Sequence, residues 1–241
     1  MSLLGNLPSS LFQSISNKSL LKVIAGLDNF DKASVARVSK AAGLGGADLL
    51  DIACDPELVK LASLNSTIPI CVSGIEPHLF PSVIEAGASI IEIGNFDSFY
   101  SKGRIFEAKE VIDLTVATKK LLPDAVLSVT VPHTLPLDKQ AQLAVDLVKK
   151  GADLIQTEGG TNAQPDHSGI LGLIEKASPT LAATYAISDN LKKAGLDVPV
   201  ICASGLSSVT LPMAFAAGAS GVGVGSAVNK LNSEIEMLAV V

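Results

Sequence analysis

The sequence predicts a single (β/α)₈ barrel, a TIM barrel, with an anion site where its seventh and eighth strands end. Three observations carry that prediction. Strand-like apolar runs alternate with amphipathic helix-like stretches from end to end, which implies parallel strands joined by right-handed crossovers. The length of 241 residues is near the roughly 250 of one such barrel. Segment 69–95, PICVSGIEPHLFPSVIEAGASIIEIGN, also resembles segment 199–226, PVICASGLSSVTLPMAFAAGASGVGVGS.

Residues 1–19 lack the basic start and long apolar stretch of a secretion signal. They read as an N-terminal helical segment that caps the bottom of the barrel, and 20–241 as the barrel itself. Strands are expected at 20–27, 47–53, 68–73, 89–94, 125–131, 153–158, 198–204 and 221–225. Between them lie amphipathic stretches such as Asp31–Ala42, Pro56–Leu64, Phe106–Leu122 and Asp138–Lys150. No dinucleotide fingerprint follows the first strand, which favours a closed barrel over an open doubly wound sheet. Gly-Ala-Asp or Gly-Ala-Ser precedes every even strand, at Gly46, Gly87, Gly151 and Gly218. The tripeptide alone is a common helix stop before a buried strand. The long match is stronger: at one constant offset Cys71 meets Cys202, Ser73 meets Ser204, Gly74 meets Gly205 and Gly94 meets Gly225. It reads as the duplication of a half-barrel, with a second, weaker anion site expected near Gly74 and Asn95.

The net charge is −6 and no Lys/Arg run stands out, so no nucleic-acid partner is expected. An anionic ligand must then be held by backbone N–H groups. Three cysteines without a C-x-x-C pair point to free thiols in a reducing compartment, not to a zinc site or disulfide framework. No apolar run approaches a membrane span. Helices rich in Ala and Leu suit a homo-oligomer.

Loops after strands seven and eight of such barrels often bind phosphate. Here they offer Ser204, Gly205 and Leu206 with Gly225 and Ser226. The glycines let backbone approach an anion, and Ser226 is placed to cap the following helix. The bland alternative is a pair of tight turns that hold nothing. Alternation along the strands points Lys22, Asp51, Cys71, Ser73, Glu92, Ser128, Thr130, Gln156, Glu158, Cys202 and Ser204 into the lumen. A lumen this polar is either an active site or a salt-bridge layer around Lys22, because unpaired buried charge is costly. Asp51, Glu92 and Glu158 are expected to share it with Lys22, with Asp51 or Glu158 as general acid or base. His133, closing the fifth strand, is a further acid–base candidate, or an exposed loop histidine. Asp28, Asn29, Asp55, Glu76, His78, Asn95 and His167 stand on the same face, and residues 161–168 form a polar loop able to close over a ligand. Histidines on three loops without ligand spacing predict no metal site.

From Leu21 onward the chain resembles a family of conserved hypothetical proteins of cyanobacteria and algal plastids, named for a chloroplast reading frame. The matching stretches are Lys22–Phe30, Ala47–Ala53, Gln156–Gly160 and Ile201–Gly205. The resemblance implies an aldolase-type barrel in the cytoplasm or stroma and no particular reaction. A looser likeness is to phosphate-binding barrels of the histidine and tryptophan pathways. The histidine-pathway members use an Asp at the ends of strands one and five; Asp28 fits the first place, whereas strand five here has none. The resulting expectation is an enzyme, an isomerase or lyase, acting on a small phosphorylated metabolite by acid–base or aldol-type chemistry and without a cofactor. A flavin (FMN) barrel and a non-catalytic metabolite-binding or regulatory barrel are the alternatives.

Overall fold

A computed structural model describes residues 3–161 and 163–241; the first two residues of the N-terminal segment and position 162 of the polar loop lie outside them. Eight parallel strands close a barrel in sequential order: β1 (Leu20–Ile24), β2 (Leu49–Ala53), β3 (Ile70–Gly74), β4 (Ile90–Ile93), β5 (Leu127–Thr130), β6 (Leu154–Gln156), β7 (Val200–Ala203) and β8 (Gly221–Val224). All eight overlap the expected runs and are shorter than them, and only β3 extends beyond its run, by one residue. The helices are α1 (Ser9–Ser16), α2 (Lys32–Gly45), α3 (Pro56–Asn65), α4 (Phe80–Glu85), α5 (Asp97–Tyr100), α6 (Ala108–Leu121), α7 (Leu137–Lys149), α8 (Gly169–Lys193), α9 (Leu211–Ala216), α10 (Ser226–Asn229) and α11 (Glu234–Val240).

Local chemistry sets these boundaries. Asp31 and Asp55 cap α2 and α3, each side chain accepting two backbone N–H groups. All four glycines of the Gly-Ala-Asp/Ser tripeptides have positive φ, the left-handed conformation that ends a helix and that glycine adopts at no steric cost. The acidic residue that follows ties neighbouring strands together: Asp48 accepts from Leu21 N–H at 2.8 Å and Asp153 from Leu127 N–H at 3.1 Å.

One buried layer fills the space between the strands' outer faces and the helices, with Val23, Val72, Ile91, Val129, Ile155 and Val222 among its members. A second closes the bottom of the lumen. Leu20, Leu49, Cys71, Ile90, Val126, Leu154 and Ile201 pack there against Leu7, Leu11 and Ile15 of the N-terminal segment. This plug seals the N-terminal end of the lumen.

Strand register corrects the constant offset read from the repeat. Ser89 N–H donates to the Ile70 carbonyl and Ser220 N–H to that of Val200. Cys71 lies beside Ile90, and Ile201 beside Gly221. Cys71 therefore corresponds to Ile201 rather than to Cys202, and one more residue lies between Ile201 and Ser220 than between Cys71 and Ser89. This one-residue shift reverses the expected direction of Cys202. Its thiol faces α8, 3.7 Å from Thr180 Oγ1, in the layer outside the barrel.

Candidate functional site

Above the apolar plug the lumen holds a connected polar layer. Lys22 Nζ lies 2.8 Å from Asp51 Oδ2 and 2.7 Å from Glu92 Oε2, and donates to Gln156 Oε1 at 2.9 Å. Ser73 donates to Asp51 at 2.6 Å, Ser128 to Glu92 at 2.8 Å, and Gln156 Nε2 to Glu92 at 2.6 Å. Asn95 closes the layer from above, donating to Asp51 and Ser73 and accepting from Gln156. Its aim depends on Gly94: φ there is +144°, and a Cβ would stand 2.2 Å from Thr130 Oγ1.

All these groups except Asn95 are buried, so burial should favour their neutral forms. Burial alone pulls the Lys22 ammonium downward, but Asp51 and Glu92 outweigh it and hold the cation well above its usual range. A Schiff base on Lys22 is thereby disfavoured. Burial first, then Asp51, raises Glu92, against the pull of Lys22.

Glu158 does not share this layer, contrary to the sequence expectation. It lies two residues beyond β6, in a second cluster nearer the mouth. Its Oε1 accepts from the Tyr100 hydroxyl at 2.5 Å and from His133 N–H at 3.1 Å, and lies 3.3 Å from His133 Nδ1. Its Oε2 accepts from Asp97 N–H at 3.2 Å. Asp97 Oδ1 is 3.5 Å from His133 Nδ1, and Asp97 Oδ2 accepts from Ser204 Oγ at 2.6 Å. The Tyr100 and His133 rings meet edge-on at 4.8 Å. Burial raises the Glu158 carboxyl, against hydrogen bonds from His133 and Tyr100, with Asp97 adding to the rise. For His133 burial acts downward, but Glu158 and then Asp97 outweigh it and raise the imidazole.

Glu92, Glu158 and His133 all sit above their ordinary values. Each stabilises the fold fully below its ordinary pKa, and loses that contribution as pH rises through the raised one. The thermal midpoint is therefore expected to climb as pH falls from above 6.5 toward 4.5. A pH series of melting curves that rises toward alkaline pH instead would contradict this.

The loops after β6 and β7 pack backbone to backbone. A Cβ at Gly160 would lie 2.3 Å from the Ser204 carbonyl, and one at Gly205 would lie 2.6 Å from Gly160 Cα. Gly205 is thus needed for loop packing whether or not an anion binds. Leu206 is buried in the outer core, so only its backbone faces the anion loop. The expected cap at Ser226 is corrected: Gly225 occupies the N-cap of α10, and no side chain caps it. Ser204, the residue after β7, has φ +76°.

The other top-face candidates do not converge. His167 pairs with Glu175 and His78 with Glu76, both in exposed positions. Asp28 meets Lys102, and Asp55 serves as a helix cap. The sequence reading missed Asp97 and Tyr100. Both ride on the four-residue α5, whose polar residues after the Gly94-Asn95 turn were the available clue. Among the described residues two groups bring three potential ligand atoms within 4.8 Å of one another: Asp51, Cys71 and Glu92, and Asp97, His133 and Glu158. In the first the Lys22 ammonium supplies the positive charge; in the second Tyr100, Ser204 and two backbone N–H groups already donate to the carboxylates.

A family model described as "Protein of unknown function (DUF561)" matches residues 7–241. The "Uncharacterized protein ycf23" of Cyanophora paradoxa is 46% identical over 228 residues, covering 93% of this chain and 90% of that protein. Among solved structures, a thiamine phosphate pyrophosphorylase from Pyrococcus furiosus aligns over 93% of this chain and 96% of its own, with TM-score 0.56 and 18% identity. A 3-hexulose-6-phosphate synthase aligns over 92% and 99%, with TM-score 0.59 and 13% identity. These structural likenesses concern the barrel fold. Among the described residues no helix is long and apolar enough to cross a membrane.

Proposed function

The chain belongs to the DUF561 family, and within that family we propose that it is an enzyme of the cytoplasm or plastid stroma acting on a small phosphorylated metabolite by proton transfer. The observation that carries this reading is the Glu158–His133–Tyr100 cluster. A buried carboxylate with a raised pKa touches a partly exposed imidazole, at the mouth and beside the loop of Ser204 and Gly205. Titratable groups displaced from their ordinary values in a cleft are the usual material of acid–base catalysis. His133 is the more exposed of the pair, so it is the group assigned to exchange a proton with substrate. Glu158 holds its ring orientation and charge, as a carboxylate partner does for an imidazole in other acid–base sites.

The phosphate is assigned to the backbone of Gly205–Leu206 and of Gly225–Ser226, with the Ser204 hydroxyl. Solved barrels named for phosphorylated compounds support that choice by fold alone. Asp51 and Glu92 are assigned a structural role, since Lys22, Ser73, Ser128, Gln156 and Asn95 already engage them.

Gly225 gives a clean test of the anion loop. A Cβ there would meet no atom closer than 3.7 Å, so Gly225→Asp adds charge without overpacking. It is expected to weaken binding of inorganic phosphate at least tenfold by calorimetry, with little change in melting temperature. Equal binding by both proteins would remove the phosphate assignment. Turnover of a panel of phosphorylated sugars and acids tests the reaction, and visible absorption of the purified protein separates this reading from a flavin barrel.

A further inference from the structure

The proposed anion loop already has an occupant. Ser204 has one hydroxyl proton to give, and it donates that proton to Asp97 Oδ2 at 2.6 Å. Ser204 Oγ in turn accepts from Thr161 N–H at 2.7 Å and meets Thr161 Oγ1 at 3.0 Å. A phosphate oxygen cannot take the Ser204 donor while Asp97 holds it. A dianion placed beside the Asp97 carboxylate would also be repelled strongly in so enclosed a site. The other carboxylate oxygen, Oδ1, is 3.5 Å from His133 Nδ1, just beyond a hydrogen bond.

Resting on the phosphate reading above, we propose that Asp97 is a specificity-determining residue that a substrate phosphoryl group displaces from Ser204 and drives onto His133. Substrate recognition and assembly of the proton-transfer group then become one event. Without a phosphoryl group, Asp97 is hydrogen-bonded to Ser204 and stands 3.5 Å from His133, whose hydrogen bond goes to Glu158. With one, the Ser204 hydroxyl and the Gly205 backbone pass to the phosphate, and two carboxylates face one imidazole. His133 is then held as the cation, ready to protonate. An unphosphorylated analogue of the same carbon skeleton leaves Asp97 in place and the acid incomplete.

Several described residues face Asp97. Tyr100 and Glu158 flank it at the base of α5, His133 approaches from the end of β5, and Ser204 with Thr161 from the loops after β7 and β6. His133 is accordingly the group whose titration reports where Asp97 points. His78 and His167 stand away with their own glutamates, so three imidazole signals can be told apart.

The experiment titrates inorganic phosphate into the intact protein, following affinity by calorimetry and the His133 ring by NMR across pH. His133→Gln assigns the signal. In the wild type, saturating phosphate is expected to move the His133 midpoint upward. Asp97→Asn should bind phosphate at least tenfold more tightly, with the His133 midpoint no longer responding. Ser204→Ala provides an independent arm: it releases Asp97 without any ligand, so the His133 midpoint should already stand near its phosphate-saturated position. If Asp97→Asn binds phosphate as the wild type does, or more weakly, the proposal is overturned while the anion loop stands. An unmoved His133 midpoint in Ser204→Ala overturns it equally. If neither the wild type nor Asp97→Asn binds phosphate, the phosphate reading itself fails, and this inference with it.

Discussion

Replacing Lys22 by methionine is expected to cost about 3–5 kcal/mol of stability, the usual penalty for removing one member of a buried ion pair. Methionine matches the length of the side chain, so the loss is electrostatic rather than a cavity. Without the ammonium, Asp51 and Glu92 are left in the sealed lumen with no cation. In a chain of this size such a loss lowers the melting temperature by roughly 6–20 °C. The loss should be smaller at acid pH. There Glu92, already raised by burial, takes up a proton and relieves the charge. The triple change Lys22→Met, Asp51→Asn and Glu92→Gln should recover much of the stability, because no bare charge then remains. Urea unfolding at pH 7 decides the matter. A cost below about 1 kcal/mol for Lys22→Met alone would show that the network is not charged in the way the distances indicate.

The second large effect concerns turnover. Glu158→Gln is expected to lower kcat for the substrate by roughly 10²–10⁴-fold, the range of a lost acid–base contribution. Stability should be unchanged or slightly improved at neutral pH. The sign follows from the raised carboxyl: above its folded pKa the ionised form is a liability to the fold, and a neutral amide removes it. The pH profile should also move. The upper limb set by His133 should shift to lower pH, since Glu158 is the strongest influence that raises it. A variant that melts several degrees lower yet keeps its activity would place Glu158 in the scaffold. His133→Gln should reproduce the loss of activity without the same profile.

The barrel and its lower polar layer were legible in the sequence. Strand parity alone placed Lys22, Asp51, Ser73, Glu92, Ser128 and Gln156 inward, and these are the residues that the hydrogen bonds join. Parity works there because an unbroken strand alternates strictly. It failed at Cys202, because the repeat offset set the phase of β7 one residue away from the register that aligns Cys71 with Ile201. A one-residue shift exchanges the faces of a strand.

The upper cluster was less legible, for a related reason. Glu158, His133, Asp97 and Ser204 stand beyond the ends of β6, β5, β4 and β7, where no periodicity governs direction. Glu158 was assigned by extending the strand to 158, whereas β6 ends at Gln156. Asp97 and Tyr100 were not singled out, because a four-residue helix in a long connection has no periodic signature.

The sequence by itself determined the architecture of this protein: the order of its units, the glycine stops that end its helices, and the charged interior around Lys22. These follow from alternation, capping and composition, which act over a few neighbouring residues. Only the tertiary structure decided which loop residues meet. Asp97 and Ser204 are 107 positions apart, and Tyr100 and Glu158 are 58 apart. Closure of the barrel brings strand ends that are distant in sequence to one rim, and side-chain contacts across that rim depend on loop geometry that no local pattern encodes.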